Sequence, residues 1–117
     1  MNSLKQVRKN VNSDPSNWQV YLMDFVDEFR RNKDPRVVEE PFELAEDEKD
    51  ALLASTAEAL CDELGIEVPT WLSKVPACPV PYFVAGLENL KATAIVESPL
   101  RFRIRKIFVL ENFLSRV

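Results

Sequence analysis

The stretch whose reading decides the fold is Leu44-Ala-Glu-Asp-Glu-Lys-Asp-Ala-Leu-Leu-Ala-Ser-Thr-Ala-Glu-Ala-Leu-Cys-Asp-Glu-Leu64. It is rich in strong helix formers and opens with an acidic first turn, where the helix dipole favours carboxylates. Leu53, Ala57, Leu60, Cys61 and Leu64 fall on one stripe, and Gly65 follows as a left-handed cap. A helix over 45–64 is therefore predicted. Its small residues Ala51, Ala54, Ala57 and Ala59 let a neighbouring helix approach closely.

The upstream sequence supplies that neighbour. Asp14-Pro15 is a helix start, because Asp can cap free N–H groups while Pro takes the first helical position, where no donor is needed. From there Trp18, Tyr21, Leu22, Phe25, Val26 and Phe29 recur at three- and four-residue steps, which predicts a helix over 15–32 with an aromatic core face. Arg30, Arg31 and Lys33 complement its C-terminal dipole, and Asp34-Pro35 stops it and starts a further turn. Residues 1–13 place Leu4, Val7 and Val11 at helical spacing in a polar segment; a marginal first helix and a frayed, flexible N-terminus both remain open.

Downstream, prolines set the pattern. Pro69, Pro76, Pro79 and Pro81 interrupt regular structure, so one helical turn is expected at 69–74 and an extended run over 78–84. A rigid connector that docks Trp71, Tyr82 and Phe83 on the helices explains this composition better than a proline-rich peptide ligand does. A third helix is predicted near 87–97, with Leu87, Leu90, Ala94 and Ile95 inward. Ser98-Pro99 starts another element, whose period is ambiguous. Leu100, Ile104, Ile107, Phe108 and Leu114 fit a helical stripe, whereas Phe102, Ile104, Phe108 and Leu110 fit strand alternation with Arg101, Arg103 and Arg105 opposite. The expected fold is all-α: a small single-domain helical bundle over residues 1–117 with a proline-rich connector.

Composition narrows the chemistry. The 117 residues are 46% hydrophobic, enough for one core, and no run approaches the roughly 20 apolar residues of a membrane-spanning helix. The N-terminus lacks an apolar export signal, and Cys61 and Cys78 read as buried reduced thiols, so a cytoplasmic location without membrane contact is expected. The absence of His removes the commonest general base, and two Gly make no phosphate-binding loop. Carboxylates at 43–50 lack the calcium-loop pattern. No enzyme, cofactor or metal site is expected.

Charge is uneven: residues 36–68 carry −9, whereas 97–117 carry +3. Arg101, Phe102, Arg103, Arg105 and Lys106 are therefore the candidate partner-binding residues, with Arg and Phe typical interface anchors. The partner would be a protein, or a second copy of the chain. A nucleic-acid contact through the same cations is the alternative, weakened by the acidic pI near 4.9. A third reading has the apolar residues finishing the core and the cations neutralising the acids of 36–68.

The ending Glu97-Ser-Pro-Leu-Xaa-Phe-Arg-Xaa-Arg-Xaa-Ile-Phe-Val, followed by Asn112-Phe-Leu-Ser-Arg-Val117, resembles that of an uncharacterised group of short bacterial proteins. Lys106, where that pattern has Asn, and Leu110-Glu111 depart from it. The resemblance covers about twenty residues and implies an antitoxin-like role, as the small partner of a nucleotidyltransferase-type toxin. It carries no functional residues across. The expected function is a non-enzymatic bacterial protein-interaction module that occludes its partner.

Overall fold

A computed structural model describes residues 2–84, 91–110 and 113–114 of the chain. The molecule is mostly helical: α1 (Leu4–Ser13), α2 (Trp18–Asn32), α3 (Glu48–Leu64), α4 (Lys91–Glu97) and α5 (Leu100–Arg103), with 3₁₀ turns at Pro15–Asn17, Pro35–Val38 and Thr70–Lys74. Two short strands, β1 (Tyr82–Phe83) and β2 (Ile107–Phe108), pair in parallel with Tyr82 opposite Ile107 and Phe83 opposite Phe108. The all-α expectation omitted this pair. Parallel strands need a crossover, and α4 and α5 lie in it.

At the centre is α3, and it is more than amphipathic. Every residue from Asp50 to Glu58 is buried, so its polar members must find partners inside the protein. Thr56 donates to the Leu52 carbonyl four residues back at 2.8 Å, and Asp50 and Glu58 each meet an arginine. Ser55 Oγ has no hydrogen-bond partner. The helix starts later than residue 45, because the Asp50 carboxylate accepts the amides of Ala45 and Glu46 at 2.8–3.1 Å and holds them in a turn; Asp47 is the cap, accepting from Lys49 N. Glu46 there has φ 59°, the left-handed region. Gly65, at φ 68°, closes the far end as the sequence predicts.

On α2, Leu22, Phe25, Val26 and Phe29 face the core, with Phe25 and Phe29 ring centroids 5.6 Å apart. Asp14 does not cap α2 with its side chain. It accepts instead from Asn17, Tyr21 and Ser16, bonds that lower its pKa, with the Asn17 amide the main cause. Of the two readings left open for residues 1–13, the helix is the one present. Leu4, Val7, Arg8 and Val11 of α1 are buried, and Ser3 caps it by accepting from Gln6 N at 3.1 Å.

The proline segment docks as a connector. Trp71 Nε1 donates to the Val38 carbonyl at 2.8 Å and its ring meets Phe42 edge-on, while Phe83 stacks on Phe108 at 5.1 Å. Tyr82 N and Val84 N donate to the Lys106 and Phe108 carbonyls, which turns position 81 towards the other edge, and Pro81 has no N–H there. Beyond β2, Ser98 Oγ accepts from Val109 N at 2.8 Å and shares its one proton between the carbonyls of Ala94, at 2.5 Å, and Val109, at 3.0 Å. The third helix begins at Lys91 among the described residues; Leu87 and Leu90 of the predicted helix lie outside them. Ala94 is buried as expected, but Ile95 is exposed.

Candidate protein-interaction face

The ambiguous period of residues 99–110 resolves as both structures in succession. Pro99 opens α5, and the amides of Phe102, Arg103 and Ile104 reach back to Pro99 and Leu100 carbonyls at 3.0–3.1 Å. Lys106, at φ 60°, then turns the chain into β2. Because side chains four apart share a helix face, Arg101 and Arg105 turn inwards together with Phe102, whereas Leu100, Arg103 and Ile104 turn out. The alternating Arg-Phe-Arg-Ile-Arg therefore does not present three arginines on one side.

The inward face belongs to the core. Phe102 is fully buried, edge-on to Phe113 at 6.1 Å, so it is no surface anchor. Arg105 is buried too: its guanidinium pairs with Glu58 and donates to the carbonyls of Leu72 and Val75, tying α3 to the proline segment. Arg101 is bidentate to Asp62 at 2.9 and 3.2 Å and lies 3.6 Å from Glu58. The Asp62 carboxylate stabilises its charge and raises its pKa, the reverse of its own burial. The structure thus places Phe102 and Arg105 in the core and Arg101, a third exposed, in an ion pair with Asp62. Two of the four cations neutralise acids of the 36–68 segment.

Arg103 and Lys106 remain exposed and have no ion-pair partner among the described residues. Beside them stand Leu100 (64% exposed), Ile104 (54%), Ile95 and Val96 (80%). Four of the seven large apolar side chains exposed among the described residues thus fall within residues 95–104. Leu100 also borders a groove of about 570 Å³ that runs past Ala59, Phe102, Val109 and Leu114. Sequence reasoning assigned Leu100 and Ile104 to the core. The signal that could have found them is the i, i+3, i+4 set of 100, 103 and 104, once α5 is taken as a helix.

A second concavity, about 760 Å³, lies between the start of α3 and the proline segment, with Leu44, Glu46, Asp50, Cys78, Val80 and Tyr82 in its wall. Lys49 is held at its rim, its Nζ 4.8 Å from the Trp18 ring and 5.1 Å from the Tyr82 ring. Both cysteines are free and buried. Burial, with Asp62 and Glu58 adding, pushes the Cys61 thiol up to about 11; burial also raises Cys78. Neither is poised as a thiolate nucleophile. Among the described residues no helix is long and apolar enough to cross a membrane. No family model matches the chain, no curated protein matches it, and no solved structure matches it.

Proposed function

We infer that the protein is a non-enzymatic protein-interaction module, a helical bundle whose contact surface is the outer face of α5 with the end of α4. The observation that carries this reading is the concentration of exposed Val96, Leu100 and Ile104 beside two unpaired cations. An isolated exposed Leu is ordinary; a cluster of aliphatic side chains rimmed by charge marks a contact site. Its anchors are Leu100 and Ile104, with Arg103 and Lys106 orienting the partner. An antitoxin-like role in the bacterial cytoplasm, occluding the partner's own surface, fits this arrangement and the ending shared with the short bacterial group.

Nucleic-acid binding has less support, because Arg101 and Arg105 are spent on Asp62 and Glu58 and leave two cations where four were expected. A photo-crosslinking residue at position 100, introduced in the native cell, is expected to give a discrete protein adduct, and Leu100→Asp to weaken the complex by about tenfold or more. Recovery of the chain with no protein adduct counts against the reading. So does a low-salt gel shift removed by Arg103→Glu with Lys106→Glu.

A further inference from the structure

The exposed apolar side chains divide between two places of opposite charge. Ile95, Val96, Leu100 and Ile104 lie in the α4–α5 segment with Arg103 and Lys106; Leu44 and Val80 (71% exposed) line the 760 Å³ cleft beside Glu46, Asp47 and Glu48. Val20 is the single exposed large aliphatic elsewhere among the described residues. One surface lies on a short helix and the other lines a concavity.

The acidic wall is also built to stay in place. The Asp50 carboxylate holds the amides of Ala45 and Glu46, and its charge is balanced by the buried Arg8 at 3.1 Å. Asp47 is shared between Arg8 and its own capping bond, and Glu48 faces Lys49 at 3.3 Å. In the cleft wall Glu46 has no ion-pair partner among the described residues, as Arg103 and Lys106 have none.

We propose that the α5 face of one copy docks in the cleft of a second copy, Leu100 and Ile104 packing on Leu44 and Val80 while Arg103 and Lys106 meet the acidic wall at Glu46. This rests on the reading of the α5 face as a contact surface and names its occupant. The two halves of the contact are different surfaces, so unless two copies exchange faces reciprocally about a two-fold axis the interface is heterologous. Each copy that gives a face keeps its cleft free for another, and association runs beyond the dimer unless a ring closes.

That asymmetry gives the test its form. Sedimentation velocity on the full chain, up to about millimolar concentration where weak transient contacts populate, is expected to show dimers and larger species. Ile104→Glu blocks the face and Val80→Glu blocks the cleft, and both positions are more than half exposed, so circular dichroism should report an unchanged fold. Each variant alone is expected to be monomeric. Mixed, they leave one good face and one good cleft, and should form a 1:1 dimer that grows no further. Arg103→Glu should weaken association about tenfold, with recovery on mixing with Glu46→Arg. A wild type that stays monomeric overturns the proposal, as does assembly by either single variant or a mixture that stays monomeric. A crosslink from position 100 to a different protein, with the purified chain monomeric, sinks self-docking and leaves the interaction reading standing; no protein adduct at all removes both.

Discussion

Two arginines at opposite ends of the chain, Arg8 in α1 and Arg105 after α5, are buried against acids of the same central helix. Their surroundings differ. Arg105 donates to Glu58 and to two carbonyls of the proline segment, and Glu58 is itself almost wholly buried. Arg8 donates to the exposed Asp47 at 2.8 Å and lies 3.1 Å from Asp50 without hydrogen-bond alignment, and its Nη1 has no partner among the described residues. Asp50, unlike Glu58, keeps two amide donors of its own. What a buried cation is worth depends less on its own bonds than on the group left behind when it goes.

The sharpest way to break this comparison is Arg105→Met. It leaves Glu58 buried with Arg101, 3.6 Å away and a third exposed, as its only cation, and a loss of about 3 kcal/mol is expected in urea unfolding. Adding Glu58→Met should restore most of that loss, since no charge is then left buried alone. If the double variant is as unstable as the single, the orphaned carboxylate is not the cause. Arg8→Met should cost less, about 1–2 kcal/mol, because Asp50 retains its amides and Asp47 has water. Equal losses at the two sites would remove the distinction drawn here.

The smallest effect concerns Cys61, next to the Glu58 end. Its folded pKa is raised from 9.0 to about 11, so the unfolded chain releases this proton first as pH rises. Its stabilising contribution is complete below pH 9 and is lost as pH climbs towards about 11, on the order of 1 kcal/mol per pH unit in that window. Urea midpoints compared between wild type and Cys61→Ala should differ in slope only there. A difference already present in acid would show that packing, and not ionisation, separates the two.

Much of the helical frame was legible because local signals act alone. Pro15, the aromatic recurrence from Trp18 to Phe29 and Gly65 bracket α2 and α3 to within a few residues. The start of α3 was misplaced because Asp50, from inside the helix, captures the amides of residues 45 and 46, which helix propensity does not register. Arg105 read as a contact cation, since nothing in a stripe of charges says which will find a buried acid 47 residues away. The candidate site was half legible. Basic character located the block, but whether Phe102 or Leu100 faces out depends on a single turn of helix that gives way to strand three residues later. The β1–β2 pairing, two residues on each side, is too short to leave a periodic trace.

That small ladder has a consequence for how the protein can engage anything else. Small sheets often capture peptides by adding a strand, reading the newcomer through its backbone and tolerating many sequences. Here Ser98 occupies the backbone N–H of Val109 on one flank, and Pro81 removes a donor on the other, where β1 offers a newcomer a single N–H, that of Phe83, beside the Pro81 and Phe83 carbonyls. Backbone pairing has little to hold a strand by at this ladder, which favours partners chosen by their side chains.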